Sequence, residues 1–379
     1  MIFIIIIIAI LLPLVSKNKS MGLLGSMLVL FIVWGLQYEV VNDWPGNLER
    51  WNIIAKSVSN NVVYENGKEL EFVYVYLIKL FQSIGYFGWL ILSAIFELSI
   101  IYNLAKRYVP KQYYWLLVFI LMLRVNYGFL FINSNRQTLA VFTTVIASLI
   151  LCKDNLIFLS FKFKYVNIIP AIILLMIAVN IHTSAIVAFG LIAIYFIAKN
   201  VRDIKLWIII VFNLIFISRF FLNSSALQDT VLMYMDMYGI QDSYDSYISL
   251  MDSRIIKFSI IEQIIYLMIM NAALFMYNDF AMPSRFFALS TILFILLNGY
   301  LYGNLERICQ YYYIYLIVLA PIIVKTLPET KYEIIKKYRK PIYTIVIMYV
   351  IYSFIRDIQH VYYNNWLNFR TILSAPEWI

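Results

Sequence analysis

Apolar residues in this chain run in blocks of about 15 to 22, close to the roughly 20 that a helix needs to cross a hydrocarbon core about 30 Å thick. That block length constrains the fold more than any motif does. Inside lipid the backbone must satisfy its own hydrogen bonds, which leaves helical bundles and closed barrels. A barrel alternates apolar and polar residues over short segments, whereas Ile2–Val15 and Ile208–Ile217 run on without alternation. Soluble domains carry about 25% charged residues. This chain carries 13% charged and 63% hydrophobic residues, a balance that excludes an ordinary soluble fold. The predicted class is all-α, a polytopic transmembrane helical bundle of about 12 spans with two longer external loops, forming one integral membrane domain over 1–379.

The spans are expected at 2–15, 21–38, 88–105, 112–131, 137–152, 166–181, 183–199, 205–222, 259–277, 286–303, 308–325 and 341–355. Segment 71–86 reads as a short span or a helix lying in the interface, because Lys79, Gln82 and Gly85 interrupt it. Lys and Arg in short loops set orientation. The basic loop 325–340 marks the cytoplasmic face, and Lys199/Arg202/Lys205, Lys153/Lys162/Lys164, Lys106/Arg107/Lys111 and Lys17/Lys19 follow it there. That assignment keeps 71–86 from crossing fully and puts the N-terminus outside. It also puts loops 39–70 and 223–258 on the external face, where long loops are more often functional than not.

The net charge of +9 does not point to nucleic acid, because the basic residues sit in the short loops. The 31 tyrosines and 8 tryptophans suit interfacial belts. Cys152 and Cys309 have no CxxC spacing, so neither a disulfide framework nor a metal site is expected. Met1–Val15 lacks a basic start and a small-residue cleavage site and reads as a retained helix. No P-loop, HExxH or GxSxG occurs in a suitable context, and the first external loop has no DxD pair.

Ionisable residues near a span are costly and are candidates for function. In the expected topology Arg136, His182, Arg219, Arg254 and Arg307 all fall at external helix ends, where positive-inside statistics do not put arginines. Arg136 stands in Asn133-Ser134-Asn135-Arg136-Gln137, at a helix start whose N–H groups and guanidinium together make an anion site. The bland reading is an arginine reaching to lipid phosphate. His182, in Asn180-Ile181-His182-Thr183-Ser184-Ala185, is a candidate general base or a histidine that merely holds two helices together. Arg307 precedes the tyrosine run Tyr311–Tyr313, with Glu306 beside it as a simple ion-pair partner. Asp43 and Glu71 flank the first external loop and can bind a hydroxyl or act as base; solvated carboxylates are the alternative. Arg254, Arg219 and Arg124 are weaker candidates, and Arg285 reads as a cytoplasmic charge.

The block Asn135-Arg136-Gln137-Thr138-Leu139-Ala140 resembles the RQxxA element of the EpsG-like family of bacterial polysaccharide polymerases. His182-Thr183-Ser184-Ala185 resembles the family's HxSA element. Asp43, Glu71 opening an aromatic segment, and Arg307 before a tyrosine-rich helix follow the same order. The resemblance covers roughly 35–325 and departs at the first loop, where Trp44 and Trp51 follow Asp43.

Such proteins are similar to Wzy-type polymerases. The resemblance implies that oligosaccharide repeat units on undecaprenyl pyrophosphate are joined at the outer face of the bacterial inner membrane, without a metal or other cofactor. It implies catalytic roles for His182, Arg136 and Asp43, and substrate-binding roles for Arg307, Glu71 and Gln137; Arg254 and Arg219 join the substrate-binding candidates on their external position. Membrane lipid and a chain-length regulator protein are the further partners it implies. Two other classes stay open, a lipid-linked oligosaccharide flippase or other transporter and a membrane acyltransferase. A transporter would line a mid-membrane path with its cations and polar groups.

Overall fold

The structure, a computed structural model, describes residues 2–38, 44–59, 62–63, 69–123, 135–152, 167–218, 260–300, 308–329 and 370–371, with single positions 333, 337, 340, 344, 348 and 352. The chain packs as two compact units, Met1–Ile192 with Val350–Ile379, and Ala193–Tyr349. Helix dominates both.

The first unit opens with a tight hairpin of α1 (Ile2–Val15) and α2 (Lys19–Gly35). Asn18 caps α2, its side-chain oxygen accepting from the N–H groups of Ser20 and Met21 at 3.1 and 3.3 Å. In lipid, helices associate through close packing and interhelical hydrogen bonds rather than through a hydrophobic force. Both are present here. A Cβ on Gly22 would stand 2.6 Å from the Leu12 carbonyl oxygen, and the Ser26 hydroxyl donates to the Ala9 carbonyl at 2.6 Å. Gly22→Val therefore forces backbone apart and is expected to cost about 1–3 kcal/mol. A Cβ on Gly25 would meet only the Leu12 side chain, at 3.3 Å, so Gly25→Ala is expected to be nearly neutral. Thermal unfolding of the two variants in detergent checks the pair.

The run Phe72–Tyr108 is apolar and long enough to cross a membrane, as is Thr183–Asn200. The first run is broken, however. α4 (Phe72–Phe81) ends in a 3₁₀ turn at Gln82–Ile84, and α5 (Gly85–Tyr108) begins on Gly85 at φ 72°, a left-handed conformation that favours glycine. At 1.5 Å per residue α4 is about 15 Å long and α5 about 36 Å. Trp89, near the start of α5, packs against both Tyr74 and Phe81, which lie near opposite ends of α4. Thus α4 lies across the beginning of α5 and does not reach its far end.

Residues 39–70, expected as a loop, contain a helix, α3 (Trp44–Lys56). Trp44, Trp51 and Ile54 recur at helical spacing and form one buried face. Trp44 packs on Tyr86 and Phe87, and Trp51 on Tyr86 and Trp89. Gln37–Tyr38 (β1) pairs antiparallel with Arg370–Thr371 (β2), which ties the C-terminal stretch to the end of α2.

The remaining helices of this unit are α6 (Tyr114–Leu123), α7 (Asn135–Leu151) and α8 (Ile168–Ile181). α7 and α8 pack closely, and α7 also packs on α5. Gly35, which ends α2, lies against Ala94 in the first half of α5. The Tyr114 hydroxyl bonds the Ser20 side chain at the start of α2, and Lys111 stands one turn before Tyr114 in the chain. Lys17, Lys19, Lys106, Arg107 and Lys111 therefore gather at one end of the unit, and the starts of α4, α5 and α7 lie at the other.

The second unit takes in most of α9 (Gly190–Asn200), with α10 (Leu206–Ser218), α11 (Ile260–Phe275), α12 (Met282–Tyr300) and α13 (Gln310–Thr326). Asn213 and Asn271 exchange two amide hydrogen bonds of 2.9 Å, joining α10 to α11. Arg285 donates to the carbonyls of Tyr277 and Asn278 and covers the Tyr277 ring, so it closes the turn between α11 and α12.

Candidate active site

Three distant stretches meet where α4, α5 and α7 begin and α8 ends. Glu71 stands just before α4, Arg136 in the first turn of α7, and His182 just after α8. Because α7 and α8 form an antiparallel pair, the start of one and the end of the other fall at the same end. Packing of α4 on α8 then brings Glu71 between them.

The Glu71 carboxylate spans the group. Oε2 accepts from Arg136 Nη1 at 2.6 Å. Oε1 accepts from the Thr183 hydroxyl at 2.9 Å and from the Thr183 N–H at 3.2 Å. Arg136 and Glu71 are 22% and 13% exposed, so their pairing is screened far less than a surface salt bridge. Burial works to raise the Glu71 carboxyl. The Arg136 guanidinium above all, with backbone N–H bonds at positions 71 and 183, outweighs it and holds the group below its ordinary value. Glu71 is thus a carboxylate held between two partners, one charged and one neutral.

The Arg136 guanidinium also lies 5.6 Å from the centre of the Tyr74 ring. Asn135, its neighbour, accepts from Trp89 Nε1 at 2.9 Å. Tyr74 and Trp89 are buried in the aromatic cluster that includes Trp51 and Tyr86. That cluster fixes the floor on which the guanidinium rests. Its five N–H groups are fork-shaped donors. With Nη1 on Glu71, the carboxylate fixes one arm of the fork. His182 caps the following 3₁₀ helix, Thr183–Phe189, through its ring, with Nδ1 2.7 Å from the Ser184 hydroxyl oxygen.

Of the residues expected from sequence, Glu71, Arg136 and His182 come together here, and Gln137 is buried in the same first turn of α7. Asp43, Arg219, Arg254, Arg307 and the weaker candidate Arg124 lie outside the described residues. Sequence reading missed Thr183 and Tyr74. Thr183 lies inside the HxSA element, in its variable position, and Tyr74 is one turn beyond Glu71 on the same helix. Among the described residues no cluster of His, Cys, Asp and Glu forms a metal site.

A mostly helical chain, with two runs long and apolar enough to cross a membrane, thus carries an arginine–carboxylate–histidine cluster at one end of its first unit. The EpsG family model matches residues 22–371, and the chain belongs to that family. Membership makes it a membrane protein of polysaccharide biosynthesis. No curated protein and no solved structure matches it.

Proposed function

We propose that the protein polymerises a polysaccharide from repeat units carried on undecaprenyl pyrophosphate, at the outer face of the bacterial inner membrane. The anomeric carbon–oxygen bond to phosphate breaks, and undecaprenyl pyrophosphate leaves with the bonding pair. A hydroxyl of the next lipid-linked unit forms the new glycosidic bond and gives its proton to a base. The observation that carries this reading is the meeting of Glu71, Arg136 and His182 at the end of the first unit opposite its basic end. Positive-inside bias puts the basic end in the cytoplasm, and hence the cluster outside, where lipid-linked units are presented.

Charge grows on the pyrophosphate as the bond breaks, and oriented donors stabilise it without rearranging. Arg136 has this role, oriented by Glu71, with Gln137 beside it in the same turn; Arg219, Arg254 and Arg307 stay further ligands expected from the sequence alone. His182 and Asp43 are the candidates for the base. A guanidinium supplies positive charge of the kind a divalent cation would, so elongation by purified protein is expected to continue in EDTA. Loss of activity that Mg²⁺ or Mn²⁺ restores would count against this mechanism.

Glu97 is an observation that points toward a transporter. It is buried in α5 with Oε1 making no hydrogen bond among the described residues, about 12 Å along the helix from Trp89. The deciding assay supplies purified protein with lipid-linked repeat units in liposomes. A ladder of longer lipid-linked chains supports the polymerase; a change of sidedness at constant length refutes it. On the polymerase reading Glu97→Gln elongates within a few-fold of wild type.

A further inference from the structure

The chain leaves α8 at His182 with φ −152° and ψ 119°, an extended residue before a 3₁₀ turn. That is the backbone of a helix N-cap, where a side-chain acceptor takes the N–H two or three residues on. Here the acceptor is a ring nitrogen. His182 Nδ1 receives the Ser184 N–H at 3.3 Å and lies 2.7 Å from the Ser184 hydroxyl oxygen.

The two contacts carry different information. A hydroxyl can donate or accept, so it leaves the ring's proton undecided. A backbone N–H can only donate. A proton on Nδ1 would set two N–H groups against each other across 3.3 Å. Nδ1 is therefore the bare nitrogen, with its lone pair engaged by the turn, and the proton of the neutral ring sits on Nε2. A general base needs a bare nitrogen facing the acceptor hydroxyl. Nε2, the ring's other nitrogen, carries a proton instead.

We propose that His182 serves as a hydrogen-bond donor to a phosphate oxygen of the lipid pyrophosphate through Nε2–H, with Ser184 as the residue that positions it. Glu71 links this donor to the other, since its two oxygens reach Arg136 on one side and Thr183, next to His182, on the other. The cluster is then a two-point holder for a pyrophosphate. The acceptor's proton goes to a carboxylate, for which Asp43 is the sequence candidate. The choice of phosphate as ligand rests on the polymerase reading; the location of the ring proton rests on geometry alone.

The two parts can be tested separately. The chain has 2 histidines, so ¹⁵N-histidine labelling with His360→Gln isolates the His182 ring. The expected spectrum has an unprotonated Nδ1 and a protonated Nε2. A protonated Nδ1 with a bare Nε2 overturns the inference whatever the enzyme does. For function, the side-chain nitrogen of Gln can stand where Nε2–H stood, whereas that of Asn falls nearer Nδ1. His182→Gln is expected to elongate within about 10-fold of wild type, while His182→Ala and His182→Asn lose about 10–10²-fold, the range for a hydrogen bond to a charged group. The same order is expected for binding of undecaprenyl pyrophosphate by protein in nanodiscs. His182→Gln as inactive as His182→Ala, with pyrophosphate binding unchanged in both, overturns the donor role and restores the base. Wild-type protein that binds undecaprenyl pyrophosphate but builds no longer chains refutes the polymerase reading instead, and leaves the donor role to the binding series.

Discussion

Arg136→Lys is expected to fold and to lose about 10²–10³-fold in elongation, the range for removing one preorganised oxyanion donor. The charge is kept, so a purely electrostatic role would predict little change. The geometry predicts more. Arg136 meets Glu71 through Nη1 alone, which leaves the remaining donors of the fork to a second anion. Lysine has one ammonium group and must choose between the carboxylate and the phosphate. Paired with Glu71 it preserves the fold and abandons the leaving group. Arg136→Ala goes further, because it leaves Glu71 half-satisfied in a site where the carboxylate is 13% exposed. Removing one partner of a buried ion pair costs roughly 3–5 kcal/mol at full burial, so folded yield is expected to fall as well. Elongation, pyrophosphate binding and thermal unfolding measured on both variants separate these effects. Near-normal elongation by Arg136→Lys would reduce Arg136 to a positioning charge.

Much of this was legible in the sequence. Apolar block length located the helices, and α1, α7, α8 and α13 lie within a few residues of the expected spans, because a helix that meets lipid must announce itself by composition. That Arg136 and His182 fall at the same end followed from the topology that the loop charges imply. What stayed hidden depends on tertiary contact. α3 reads as loop in the sequence because Asn47, Glu49, Arg50 and Asn52 interrupt its apolar positions, and only packing on Tyr86 and Trp89 reveals the buried stripe. In the sequence Glu71 is one carboxylate among several, a ligand or a base. Its bonds to residues 65 and 112 positions away have no local signature. The Nδ1 cap of His182 is local, yet composition cannot reveal it, since it depends on how the backbone turns at one residue.

Glu71→Gln is expected to cost about 10²-fold in elongation, and it should do so through Arg136 and with a characteristic dependence on pH. The amide can still accept from Thr183 through its oxygen. Its NH₂ group then faces Arg136 Nη1, donor against donor, and pushes the guanidinium off its present line. Ala would remove both bonds and is expected to cost more in folded yield. The charge of Glu71 also stabilises the fold in one pH range only. Its folded carboxyl titrates below the unfolded one, and unfolded Glu titrates near ~4.3. The stabilisation is therefore present in full above that value and fades as pH falls toward the lower, folded value. Wild type should accordingly be more stable than Glu71→Gln by a constant margin at neutral pH. The margin should shrink as the medium is acidified below about pH 4–5. A parallel loss of stability in both proteins across that range would show that another carboxylate carries the acid limb. A margin unchanged down to the lowest accessible pH would mean that Glu71 supports the fold through its shape and not its charge. In that event Arg136 would owe its orientation to Tyr74 and the aromatic floor, and Tyr74→Leu, not Glu71→Gln, would be the variant that uncouples it.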